Sequence, residues 1–382
     1  MTQLITLTCD SFLEIVQMIS LCKHKYFLSQ IQFADEHLHS LIKRRSKPIF
    51  YYREMQNGNV PLDGGALKVE ESEYEDFKDC PYMKRLVGGD ELLHNKKRYV
   101  IWLTNVSETE ISRFPKVAER VKQCRMNRLK MSSGSQKYAL TPTLFRDTNN
   151  PKRFLAIPIT WSIQTKYIPM MCYPEKFIPT NQVQILPYFD LYEFGVLASS
   201  VHNKWAQIVF ERNGKQNYYL KDIIYNNFPW PEPSGNQRFK IERSSEKLLK
   251  LLLQYSQKYS VEELMQNLYF YPDLEQAYED NDKEVKKAYR SSWWGLNDDF
   301  RSLLIRSYCL ADTVSMLYEK IFEAHAGYSW FDMDFFPSVK VYLEGNLTKE
   351  QLFDEAKKYK KEKKIKLKEM EKRADEWLLR RK

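Results

Sequence analysis

Two periods of apolar residues divide this chain. Between about residues 41 and 233 they come in short aliphatic or aromatic runs broken by Pro, Asn and Gly, the texture of strands and loops. After Pro233 they recur every three or four positions, as in EKLLKLLLQYSQKY, and residues 241–326 read as helical throughout. In the first region SLIKRRSKPIFYY reads as a strand, NGNVPLDGGAL supplies turns at Asn57-Gly58 and Asp63-Gly64-Gly65, and RYVIWL is a buried strand. The segment SETEISRFPKVAERVKQCRMNRLKM reads as one helix. Ser107 is its N-cap, with Glu110 three residues on, and Ile111, Val117, Val121 and Leu129 mark its apolar side. The runs RFLAIPIT, KYIPMMCY and VQILPYFDLY predict a mixed sheet, and EFGVLASSVHNKWAQIVFE a helix with Phe194, Leu197, Val201 and Trp205 inward. IIYNNFPWP reads as a strand entering a rigid turn, because Pro229 and Pro231 cannot continue a ladder.

The expected fold is α+β, a mixed-sheet domain followed by an α-helical one. Residues 1–32 form a helical N-terminal segment, 33–233 the mixed-sheet domain, 234–328 the helical domain, and 329–382 a charged helical arm whose sparse apolar positions include Phe353, Ile365, Leu367 and Trp377. Asp10 and Glu14 interrupt the apolar N-terminus, which also lacks a basic start, so it reads as an amphipathic helix and not an export signal.

Composition narrows the function. A formal net charge of +9 favours an acidic partner, of which nucleic acid is the commonest. The six cysteines show neither Cys-x-x-Cys nor zinc spacing, pointing to reduced thiols, a cytoplasmic protein and no metal. No run of eighteen apolar residues occurs, so no membrane is expected.

No catalytic motif survives inspection. NFPW and DCPY each lack one proline of the Asn/Asp-Pro-Pro-aromatic turn that grips a flipped base, and no Gly-x-Gly strand end precedes DCPY. Pro272-Asp273 and Glu284-Val285-Lys286 match the letters of a metal nuclease, yet they fall in a helical run where that chemistry needs adjacent strands. Ser199, Ser200 and His202 lack a nucleophile elbow and a partner acid.

Binding is the chemistry that remains. Gln164, Lys166, Asn181, Gln182, Lys215, Gln216 and Asn217 stand in loops beside aromatic strands and carry the amides and cations that read base edges. Arg44, Arg45, Lys47, Arg125, Arg128, Lys130, Arg146 and Arg153 can position a phosphate backbone. Each of these residues is equally readable as a solvated surface side chain.

The ordered blocks RRSKPI, NVPLDGGAL, KKRYVIWL, TPTLFRD, KYIPM, LYEFGVLASSVHNKW and IIYNNFPWP resemble the target-recognition region of MmeI-like DNA methyltransferases and fused restriction-modification enzymes. FYPDLEQAYEDNDKEVKKAY and VSMLYEKI resemble the helical region that follows it in that family. The resemblance implies a sequence-specific double-stranded-DNA-binding module that directs an adenine-specific methyltransferase. S-adenosylmethionine and the catalytic turn would then belong to a methyltransferase domain or separately encoded subunit outside this chain. It also implies that YNNFPWP is a landmark closing the recognition domain, with Phe228 and Trp230 locking the exit turn against the first helix that follows. Asn217, Tyr218, Tyr219 and Leu220 stand where relatives commonly have Tyr-Arg-Tyr-Ser, so one expected cation is missing. Two other readings stay open: an inactive remnant of a split methyltransferase gene and, ranked last because the chain is basic, a decoy that sequesters a partner.

Overall fold

The computed structural model describes residues 42, 44–49, 52–209, 216–231, 233–292 and 351. The expected helix of residues 1–32, Lys215 and all but Gln351 of the C-terminal arm lie outside them. The chain forms two compact units, one built from residues 53–225 and 231–291, the other from residues 1–52, 226–230 and 292–382.

The larger unit is α+β. Its first sheet is antiparallel, in the order β1 (Gln56–Asn57), β9 (Val183–Pro187), β5 (Arg153–Pro158), β7 (Met171–Pro174). The second runs β2 (Lys68–Glu70), β4 (Arg98–Ile101), β3 (Met83–Val87), β8 (Phe177–Pro179), with β3 and β8 parallel. Sequence reading missed β3, because its KRLV stretch hides among charges. Every residue of β5 is buried, its apolar run from Phe154 to Pro158 together with Arg153 at its start. A two-stranded ribbon pairs β6 (Thr160–Ser162) with β10 (Gln216–Tyr218).

Asp63 explains the turn before β2. Its carboxylate accepts the N–H groups of Gly65 at 3.0 Å and Leu67 at 2.8 Å, while Gly64 and Gly65 take φ of +61° and +81°. Further on, Gly58 permits a close approach, since a Cβ there would lie 2.0 Å from the Thr180 carbonyl oxygen.

Short helices connect the sheets. After α1 (Gly89–His94), the helix expected from Ser107 is in fact two: α2 (Glu108–Ser112) and α3 (Pro115–Leu129), followed by the single turn α4 (Ser133–Gln136). Ser107 and Glu110 form the expected capping box. Pro115 has no N–H to continue α2 and so starts a new helix. The restart also corrects the expected apolar side. Val117, Val121, Cys124 and Arg128 follow one stripe at helical spacing, and Leu129, one residue past it, is exposed.

The helix expected at 193–211 is likewise broken, into α5 (Leu191–Leu197) and α6 (Ser200–Val209), although Phe194, Leu197, Val201 and Trp205 are all buried as expected. Asp190 caps α5 through Glu193 N–H at 2.7 Å. Three helices follow: α7 (Gly235–Tyr255), α8 (Val261–Gln266) and α9 (Pro272–Ser292). Helices α5, α7 and α9 meet at a polar joint. Asn281 Nδ2 donates to the Gly195 carbonyl at 2.8 Å, and Ser245 Oγ donates to the Ile241 carbonyl at 2.5 Å and lies 3.2 Å from Asn281 Oδ1. Gly195 has to be glycine here, because a Cβ would lie 1.9 Å from Ser245 Oγ.

In the smaller unit, residues 44–49 are bends and extended chain, where a strand was expected. Their polar groups are taken by asparagine side chains and backbone: Asn226 Nδ2 donates to the Arg45 carbonyl at 2.7 Å, and Ile49 N–H to the Asn226 carbonyl at 2.7 Å. Trp230 stacks on Tyr52 with centroids 4.1 Å apart, and Phe228 meets Trp230 edge-on at 5.3 Å. The strand expected at 223–227 is instead a series of turns, opened where the N–H groups of Ile223 and Ile224 both donate to the Leu220 carbonyl.

Candidate nucleic-acid interface

The β6–β10 ribbon is the best-built of the expected reading surfaces. Gln216 pairs with Ser162, Asn217 with Trp161 and Tyr218 with Thr160, so Gln216, Ser162, Thr160 and Tyr218 share one face while Asn217 and Trp161 share the other. Trp161 is buried, and its face is therefore the inner one. Tyr219 continues the anchoring: it is buried, its N–H donates to the Ile159 carbonyl at 2.8 Å, and its hydroxyl lies 2.8 Å from His202 Nε2. Burial pushes the His202 imidazole down to about 3, so this pair is neutral and structural. A flat amide on a ribbon whose inner face is locked by two buried aromatics is suited to bidentate recognition of adenine. Gln216 holds that position.

The other expected readers divide by place. Gln164 is exposed two residues beyond Ser162, whose hydroxyl accepts the Gln164 N–H at 3.2 Å. Asn217 lies on the inner face, and its amide donates to the Ser162 carbonyl at 3.3 Å, which leaves the outer groove to Gln216. Asn181 and Gln182 are exposed in the turn between β8 and β9, and the Gln182 carbonyl accepts the Ile159 N–H at the ribbon's root. Lys166 pairs with Glu275 of α9 at 2.8 Å and so belongs to a different surface from Gln216.

Two of the expected phosphate contacts are corrected. Arg128 is fully buried and donates to the carbonyls of Leu62, Tyr138 and Thr141 at 2.7–2.8 Å and to those of Pro61 and Leu144. Its guanidinium ties two loops to α3, holds Leu62 at a φ of 49°, and cannot reach solvent. Arg153 is buried too, over the Phe189 ring, with Nη2 3.4 Å from the Tyr188 carbonyl. In both cases the arginine stands within an apolar pattern, and its long stem serves as core.

The remaining cations are spread over both units. Arg146 is held by Asp147 at 2.9 Å, and Arg45 Nε donates to Asn227 Oδ1 at 2.8 Å. Arg125 and Lys130 are exposed on and just after α3, in the larger unit, and Arg44 and Lys47 are exposed in the smaller. The nuclease-like letters are structural. Pro272 opens α9, Val285 is buried, and Glu284 pairs with Lys287. Sequence reading missed Asn59, a fully buried amide that bonds the Asn149 N–H and the carbonyls of Asn149 and Pro179.

Residues 36–232 match the family model "MmeI, target recognition domain". DNA methyltransferase A of Bacillus subtilis (strain 168) is 30% identical over 276 residues, covering 70% of this chain and 31% of that protein. The solved type IIL restriction-modification enzyme MmeI, in complex with DNA, superposes with a TM-score of 0.66 at 29% identity, covering 71% of this chain and 37% of its own. The chain thus spans about a third of the length of each.

Proposed function

The chain belongs to the MmeI target-recognition family, and from that premise we propose that it reads a sequence in duplex DNA and directs an adenine-specific methyltransferase carried outside its described residues. The observation that carries this reading is the outward Gln216 on the β6–β10 ribbon, inside the span that matches the recognition-domain model. Phosphate contacts from Arg125 and Lys130 would set the register, and base contacts the specificity.

S-adenosylmethionine belongs to the methyltransferase domain in this reading. The strand–Gly–Gly–helix junction at Gly88-Gly89 does not fit a nucleotide cofactor. Gly88 N–H already donates to Glu91 Oε2 at 2.8 Å, and Thr180 Oγ1 and Gln182 Oε1 lie 2.7 Å from where a Cβ on Gly88 would stand.

The test is selection of bound duplexes from a random pool by the purified chain, with and without a methyltransferase from the same family. Enrichment of one defined site is expected. A pool that stays random while the chain remains folded would exclude sequence reading.

A further inference from the structure

A second surface of the larger unit is more basic than the ribbon and has no role in the reading so far. A cavity of about 590 Å³ opens between the loop after β6, the start of α6 and one face of α9, lined by Lys166, Tyr167, Ser200, Glu279, Asp282, Lys283, Lys286 and Lys287. Four lysines thus face two carboxylates. Asp282 is buried and engaged within the cavity wall, accepting the Tyr167 hydroxyl at 2.9 Å and the Ser200 N–H at 2.7 Å, while Glu279 is exposed. Lys166 and Lys287 are held by Glu275 and Glu284. Lys283 and Lys286 make no ion pair among the described residues, Asp280 is an electrostatic neighbour of Lys283, and the shielded Ser200 hydroxyl has no hydrogen-bond partner among them. Four lysines against Glu279 and Asp282 leave the cavity lining net positive.

We propose that this cleft binds the DNA backbone, so that α9 clamps phosphates flanking the base pair read from the ribbon. The inference rests on the proposed DNA-reading function and extends it to the helical region. Lys166 is two residues from the exposed Gln164, at most about 7 Å along an extended chain. Successive phosphates of one strand rise about 3.4 Å along the duplex axis. A duplex with a base at Gln164 would then have a phosphate within reach of Lys166, and α9 presents Lys283 and Lys286 across the same cleft. Lysine suits this task because a flexible point charge follows a backbone without demanding one geometry.

The test compares wild type, Lys283→Gln/Lys286→Gln and a Lys250→Gln control on α7, by fluorescence anisotropy with a duplex carrying the selected site, at 50–200 mM salt. Loss of two phosphate contacts should lower the slope of log affinity against log salt by about 1.8, so the wild-type advantage should shrink about twelvefold across that range. Site preference and thermal unfolding should match wild type, and Lys250→Gln should leave the slope intact. Unchanged slopes in the double variant, with wild type binding normally, would overturn the clamp and leave the ribbon reading standing. No duplex binding by wild type would sink both. Calorimetric binding of a free mononucleotide that the double variant loses, without any change in duplex slope, would reassign the cleft to a small phosphate ligand.

Discussion

Replacing Arg128 separates a structural arginine from a DNA-binding one. Its guanidinium is fully buried and donates to five carbonyls, on Pro61 and Leu62 before β2 and on Tyr138, Thr141 and Leu144 after α3. Arg128→Ala leaves those acceptors without a donor. At about 1 kcal/mol per orphaned group the upper figure is roughly 5 kcal/mol, and relief from burying an isolated charge offsets part of it. A net loss of about 3–5 kcal/mol is expected, a large share of a typical domain's stability. Arg128→Lys should lie between, because an ammonium has three donors and no planar fork. Urea unfolding followed by tryptophan fluorescence measures the loss, and anisotropy at a temperature where both proteins are folded measures DNA binding. The slope of binding against salt should match wild type. An Arg128→Ala protein within about 0.5 kcal/mol of wild type, with a salt slope lower by one unit, would refute the structural role and restore Arg128 as a phosphate contact.

Three further outcomes follow from other parts of the molecule. Gly195→Ala forces a Cβ to 1.9 Å from Ser245 Oγ and should destabilise by about 1–3 kcal/mol in urea unfolding, with partial recovery when Ser245→Gly is added. For His202, the folded imidazole titrates near 3, against 6.5 when free. The unfolded chain then binds more protons below 6.5, and the contribution present above that pH is lost as pH falls towards 3. Wild type should lose about 2 kcal/mol between pH 6.5 and 5 relative to His202→Phe, and parallel stability curves for the two would count against the neutral buried histidine. Arg125→Ala and Lys130→Ala should each lower the salt slope of DNA binding by about one unit without altering site preference, read by anisotropy and pool selection.

Local chemistry made much of the fold legible. The Ser107 and Glu110 capping box, the Asp63-Gly64-Gly65 turn and the buried β5 run all act through residues near in sequence, and each stands where the pattern placed it. Long-range geometry was not legible. Pro115 divides a helix that periodicity alone would join, and Gly195 and Asn281, 86 residues apart, meet only once α5 and α9 pack. The same limit applied to the site. An arginine in a basic segment reads as surface until its partners are known, and those of Arg128 come from loops before and after its own helix. Gln216 and Asn217, adjacent in the chain, received the same role from sequence. The ribbon's pleat sends them to opposite faces, and which of the two points inward follows only from the pairing of Asn217 with the buried Trp161 of β6. The lysines of α9 read as a solvated face in sequence, and their placement in one cavity with Lys166 depends on how the loop after β6 packs against α9.

On the proposed function, the outward face of the β6–β10 ribbon reads a base. Its most direct test is site selection from a random duplex pool by wild type and Gln216→Ala in parallel, with Asn217→Ala as the inner-face comparison. Gln216→Ala should relax one position of the selected site by about 1–3 kcal/mol and leave the salt slope unchanged, while Asn217→Ala should keep the wild-type preference at that position. Identical selected sites for wild type and Gln216→Ala, or relaxation of that position by Asn217→Ala alone, would contradict it.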